Sequence, residues 1–157
     1  MNRLDGKTAL ISGASRGIGA AAANLMISVG ANVIIGDVLK SKGEEWAKTL
    51  GPKAKFIHLD VTDENDWSNA VNLAVDQFGG LDILVNNAGL FLGRDFADIS
   101  LDDWNRLANV NMTGVWLGTK VATEALAKSG SESSQGSAIV NISSVAGLVG
   151  SELDPLY

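Results

Sequence analysis

The stretch TALISGASRGIGAAAANLM, residues 8–26, joins three kinds of sequence without a spacer. An apolar run of strand length, Thr8–Ser12, is followed by a turn holding Gly13, Gly17 and Gly19, and then by small and apolar residues of helical character. Glycine lets a backbone bend sharply and lets another group approach it closely. A strand delivered straight into a helix is the first half of a β-α-β unit, so the reading spreads outward from here.

Four more apolar runs follow: NVIIGD, KFIHLD, DILVNN and SAIVNIS. Most are continuously apolar rather than alternating, which is expected of strands covered on both faces. Between them the spacing predicts helices beginning near Arg16, near Ser41 and at Asp63, a good N-cap residue, and a long one from about Leu101 to Ala127. Strand-helix alternation with short connections implies right-handed crossovers and a parallel sheet. The fold class is therefore α/β, a Rossmann-type doubly wound sheet in three α/β/α layers. The low-complexity piece SGSESSQGS, residues 129–137, is a flexible connection, and no linker divides residues 1–157, which form a single domain.

Composition narrows the classes further. A net charge of -6, with no basic stripe, opposes binding to nucleic acid. Cysteine is absent, which excludes a disulfide framework, a thiolate metal site and a cysteine nucleophile, and fits a reducing cytoplasm. No apolar run has the length of a membrane span, and Arg16 with its flanking glycines interrupts any export signal. The expectation is a soluble, cytoplasmic protein without a metal.

The glycine spacing, G-x-x-x-G-x-G, differs from the common dinucleotide fingerprint and lacks the Lys-Ser/Thr ending of a P-loop. Alone it supports either a tight packing turn or a turn that receives a pyrophosphate at a helix N-terminus. Asp37 tips the balance. It ends the second apolar run, where a carboxylate can accept both hydroxyls of an adenosine ribose. A carboxylate about 4 Å from a 2'-phosphate would be opposed by roughly 4 kcal/mol per unit charge at an effective dielectric near 20, which favours NAD over NADP. Arg16 works the other way, since a guanidinium can pair with such a phosphate.

Other polar residues stand in apolar company. Asn111 shares a predicted helix face with Trp104, Ala108 and Val115, so either it has water or backbone partners or the helix bends there. Asn86, Asn87, Ala88 and Gly89 end the fourth run, at the sheet edge where ligands lie, and Asn87 can hold a turn or line the crevice. Ser143 and Ser144 end the fifth run facing opposite ways. His58 is a strand residue, and the four tryptophans, all in predicted helices, are packing residues.

Taken together, SGASRGIG (12–19), LDV (59–61), NNAG (86–89), NVNMTG (109–114) and IVNISS followed by Tyr157 resemble the short-chain dehydrogenase/reductase family in motif and order. The resemblance implies that Gly13, Ser15, Arg16, Gly17, Ile18 and Gly19 surround a pyrophosphate. It puts Asp37 on ribose, Asp60 and Val61 beside adenine, and Asn87, Ala88, Gly89 and Val110 along the cofactor cleft. The family's catalytic serine stands thirteen residues before its tyrosine, which selects Ser144 against Tyr157. Asn111 matches the asparagine that holds a proton-relay water.

The chemistry so implied is hydride transfer between NAD and a small secondary alcohol or ketone, without metal. Ser144 would hold the substrate oxygen and Tyr157 would exchange its proton. A phenol working as a base needs a nearby positive charge. The family's pattern puts a lysine four residues after the tyrosine, beyond the end of this sequence, and the chain is expected to be truncated before its C-terminal strands and helices. The fragment alone is then expected to be poorly active, its fifth strand to carry an open apolar edge, and the complete protein to form a dimer or tetramer. The segments LFLGRDF (90–96) and LVGSELDP (148–155) are expected to supply part of the substrate wall. Alternatives are an NADP-dependent reductase of 3-oxoacyl groups on a carrier protein, and a non-catalytic nucleotide-binding fragment.

Overall fold

The computed structural model describes residues 4–150 and 155–157, so Ser151 to Asp154 of the expected substrate wall lie outside the described residues. Its strands are β1 (Thr8–Ser12), β2 (Asn32–Asp37), β3 (Ala54–His58), β4 (Ile83–Asn86) and β5 (Ala138–Asn141). Its α-helices are α1 (Gly17–Ser28), α2 (Lys40–Leu50), α3 (Glu64–Phe78), α4 (Leu101–Ala108) and α5 (Gly114–Ser131). The sheet order is β3-β2-β1-β4-β5. Every pairing is parallel, with Leu10 opposite Ile34 on one side and Leu84 on the other.

The continuous apolar runs are explained by cover on both faces. Leu10, Ile34 and Leu84 face one way and pack with Trp67 of α3 and Leu117 and Leu126 of α5. Their neighbours Ile11, Ile35 and Val85 face the other way, against Ala23 of α1 and Ala47 of α2. Alternation along β1, β2 and β4 thus feeds two cores, and each fully buried large side chain contributes about 1.5–3 kcal/mol. Trp67 is wholly buried, and its indole N–H donates to the carbonyl of Val61 at 3.0 Å, tying α3 to the loop after β3. Asp63 caps α3 as its sequence position suggests, accepting from the backbone N–H groups of Asn65 and Asp66.

Two expectations need correction. The long helix is not continuous: a π-helical stretch, Asn109–Thr113, separates α4 from α5, and α5 extends to Ser131. Trp104 and Trp116 are 47% and 59% exposed, so of the four tryptophans these two are surface residues; Lys120 Nζ lies 5.1 Å from the Trp116 ring centre. His58 is a strand residue as expected: it ends β3, half exposed, with its Nε2 3.6 Å from Asp66 Oδ2. Among the described residues, no helix is long and apolar enough to cross a membrane.

The chain leaves β1 for one side of the sheet and reaches β4 on the other. The C-terminal ends of β1 and β4 therefore diverge into a crevice, the place where ligands of open α/β sheets lie.

Candidate active site

The crevice begins at the glycine turn. Gly13 and Gly17 have φ values of +65° and +58°, in the left-handed region that side chains disfavour. A Cβ on Gly13 would stand 2.9 Å from the Cα of Ala88, and one on Gly19 would stand 2.5 Å from the carbonyl oxygen of Gly13. The turn is thus pressed against the end of β4. Asn87 fastens it there, its amide Nδ2 donating to the carbonyls of Ser12 at 2.9 Å and Gly13 at 3.1 Å. Both of the roles left open for Asn87 are realised, because it also lines the cleft.

Ser12 completes this knot. Its buried Oγ accepts from the backbone N–H of Asn87 at 3.0 Å and of Ala88 at 3.1 Å. Nothing in an apolar strand marks its last serine for such a task, so sequence reasoning passed over it. Past the turn, α1 starts at Gly17 with Arg16 as its N-cap, and no side chain caps it. Its first N–H groups are left to a ligand or to water, on a helix end that favours an anion.

A cleft of about 1000 Å³ opens above the turn, at the upper end of the roughly 300–1,000 Å³ found for small-molecule sites. Gly13, Arg16, Gly17, Ile18 and Asp37 line one part, Asp60 and Val61 another, and Asn87, Ala88, Gly89 and Val110 a third. Ser15 and Gly19 are not among the lining residues: Ser15 is buried, with its N–H donated to Asp37 Oδ2 at 2.9 Å, and Gly19 packs behind the turn. Asp37 is only 6% exposed, and its Oδ1 accepts from the N–H of Leu39 at 3.0 Å. A carboxylate has about four lone-pair sites, so each oxygen keeps one for a ligand hydroxyl. Asp60 holds its own turn, accepting from the N–H and Oγ1 of Thr62 at 2.9 and 2.8 Å.

Arg106 of α4 also faces the cleft, one turn before Val110, and was not singled out from sequence. The signal was available, since residues four apart on a helix share a face.

Asn111 is where the helix departs from α geometry. Its Oδ1 accepts from the N–H of Leu90 at 2.7 Å, and its Nδ2 donates to the carbonyl of Leu90 at 2.9 Å. Of the alternatives drawn from its sequence position, backbone partners are the one met, and they stand where the helix turns π-helical. The clamp carries the next residue: the ring of Phe91 meets that of Tyr157 edge-on, centroids 5.4 Å apart and planes at 86°. Ser144 lies past β5 and opens a short 3-10 turn, its Oγ accepting from the N–H of Ala146 at 3.2 Å. Neither Ser144 nor Tyr157 lines the cleft; Tyr157 is joined to it through Phe91 and the clamped, cleft-lining Leu90.

Below this loop, Asp103 forms a capping box with Ser100 and binds Arg94 at 2.8 Å. Hydrogen bonds from the Ser100 side chain and backbone hold the Asp103 carboxyl below the usual range; burial opposes them, and the Arg94 charge adds a lesser lowering effect.

Comparison with known proteins shows which of them this chain is similar to. The family model for short chain dehydrogenase matches residues 7–157. The trans-4-hydroxycyclohexanecarboxylate dehydrogenase of Sinomonas cyclohexanicum is 43% identical over 95% of this chain and 59% of its own length. The 3-alpha-(or 20-beta)-hydroxysteroid dehydrogenase of Mycobacterium bovis is 45% identical over 94% of this chain and 55% of its own. A crystal structure of a short-chain dehydrogenase/reductase of the glucose/ribitol dehydrogenase type from Brucella melitensis superposes with a TM-score of 0.90 at 32% identity, covering 100% of this chain and 65% of that one. The chain thus spans little more than half the length of these two dehydrogenases, and it belongs to the short chain dehydrogenase family.

Proposed function

We propose that the protein carrying this chain is an NAD-dependent oxidoreductase that moves hydride between the nicotinamide and the oxygen-bearing carbon of a secondary alcohol or ketone, the oxygen being borne on a saturated ring. One observation carries the reading. The Asp37 carboxylate and the uncapped N-terminus of α1 front the same cleft, so ribose hydroxyls and a diphosphate can be held together. Relatives named for substrates built on a cyclohexane ring and on a steroid support the ring.

The residues present fit the cofactor, since Gly13 and Gly17 line the cleft without a side chain and no side chain caps the N-terminus of α1 beside them. When bound, NAD supplies the hydride acceptor or donor. The chain's own residues do the rest. Arg16 and the first N–H groups of α1 hold the diphosphate, and Asp37 holds the adenosine ribose. Asp60 and Val61 flank the adenine, and Asn87, Ala88, Gly89 and Val110 wall the cleft. Ser144 accepts from Ala146 and so keeps its own O–H to donate to the substrate oxygen, while Tyr157 exchanges the proton at that oxygen. Asn111 positions the loop through Leu90 and keeps one amide hydrogen for a relay water.

The test is calorimetry on the full-length protein with NAD and NADP, followed by dehydrogenation of cyclohexanol read as NADH absorbance. We expect NAD to bind at least tenfold more tightly than NADP, and Asp37→Ala to erase most of that preference. Heat with neither coenzyme would overturn the proposal. A second reading, NADP dependence, is favoured by Arg16 in the cleft wall; tighter binding of NADP by the wild type would establish it instead.

A further inference from the structure

The first turn of α3 is tied to one wall of the cleft by side chains that stand behind that wall. Asp66 Oδ2 accepts from the backbone N–H of Asp60 at 2.9 Å, and one residue on, the Trp67 indole donates to the carbonyl of Val61 at 3.0 Å. Asp60 and Val61 line the cleft, whereas Asp66 and Trp67 do not. The backbone N–H of Asp63 closes the bracket by donating to the carbonyl of Asp60 at 3.0 Å.

The two side chains are placed differently. The Trp67 ring is fully buried, and a Cβ on Gly118 would stand 2.6 Å from its Cζ2, so it belongs to the core whether or not Val61 needs it. The Asp66 side chain is 23% exposed, at a helix start that Asp63 already caps. A carboxylate so placed has water available, yet this one turns back onto a single peptide N–H. That N–H has no sheet partner, because β3 has ended at His58. On either side of it the chain is already fixed. The N–H of Leu59 donates to the carbonyl of Asp37 at 3.2 Å, and Val61 is crowded by α5, where a Cβ on Gly114 would stand 2.8 Å from its Cγ2. The Asp60 peptide is the point of the wall left to be set, and its setting also aims the Asp60 side chain, whose Oδ1 is engaged by Thr62.

We infer that Asp66 is a positioning residue for the adenosine end of the cofactor: through the N–H of Asp60 it holds the Asp60–Val61 wall at the depth at which a base fits beside it. This rests on the proposed function, which puts adenine at that wall, and deepens it. Supporting hydrogen bonds of this kind hold a ligand-lining group to within about 0.5 Å. Without this one the peptide turns toward water and the wall meets the base less closely. The loss falls on binding and not on hydride transfer, because adenine and nicotinamide are opposite ends of the coenzyme.

The experiment is calorimetry with NAD and with ADP-ribose, which keeps the adenosine and lacks the nicotinamide. It uses the full-length protein and its Asp66→Ala, Asp66→Asn and His58→Ala variants, the last because His58 Nε2 lies 3.6 Å from the same Asp66 oxygen. Asp66→Ala is expected to weaken both ligands by the same factor, about tenfold, as loss of one hydrogen bond to a charged acceptor implies. Asp66→Asn, whose amide oxygen still accepts, is expected to stay within about threefold of wild type, as is His58→Ala, which leaves the hydrogen bond in place. In cyclohexanol oxidation Asp66→Ala should raise KM for NAD at unchanged kcat, the sign of an interaction lost equally from ground and transition states. A fall in kcat at constant KM, as a partly unfolded protein gives, would overturn the inference, as would a loss for NAD that ADP-ribose does not share. Asp66→Asn or His58→Ala binding as weakly as Asp66→Ala would overturn it too, by assigning the effect to the ion pair. Wild type that binds neither ligand would overturn the proposed function and this inference with it; wild type that binds both, with Asp66→Ala its equal, would overturn the inference alone.

Discussion

A single hydroxyl joins the two halves of the site. Ser12 is 1% exposed, and it is the acceptor for two backbone N–H groups at the point where β4 ends beside the glycine turn. Ser12→Ala would leave both half-buried donors without that acceptor, at about 1–3 kcal/mol each. Urea denaturation of the variant is expected to show a loss of about 2–6 kcal/mol, and NAD affinity should fall with it because Ala88 and Asn87 wall the cleft. A variant as stable as wild type would mean that water replaces the hydroxyl. Asp37 was legible from sequence because a lone carboxylate ending an apolar strand is conspicuous. Ser12 was not, because a serine at a strand end is ordinary until its partners, 75 residues away in sequence, are known.

At the scale of elements, what could be read depended on whether the cause was local. The runs that became β1 and β2 carry their own signal, since apolar residues on both faces imply two covering layers. The interruption at Asn109–Thr113 does not, because it accompanies two hydrogen bonds, one accepted and one donated by Asn111, with a loop residue 21 positions earlier. The start of α4 offers a test by pH. Asp103 accepts from Ser100 and Arg94, and its pKa is lowered in the folded protein. A lowered folded pKa contributes stability that is complete above the unfolded value of about 3.9 and is lost as pH falls through the folded value. Wild type should therefore exceed Asp103→Asn in stability at neutral pH, and the gap should close in the acid range below about 3.9. Denaturant melts of both proteins over that range would check it; a gap independent of pH would show that the contacts do not need the charge.

Across the whole molecule, cover is uneven from strand to strand. Ala9, Leu10 and Ile11 of β1 are fully buried, whereas Ile139 and Val140 of β5 are 42% and 43% exposed, although they point to opposite faces and continue the same sheet. Ile142, Val145, Leu148 and Val149, which follow, are also exposed. A strand with apolar side chains on both faces and one paired edge invites further pairing or packing. The polypeptide of residues 1–157, made by itself, is therefore expected to self-associate as its concentration rises, visible by sedimentation velocity. Val140→Lys should weaken that association, because a charge on an edge strand opposes pairing and desolvation there. The exposed Trp104 and Trp116 of the α4–α5 face supply a rival surface. Association that survives Val140→Lys but is lost in Trp116→Glu would assign it to the helices, and a monomer at every concentration would show that the open strand is tolerated as it stands.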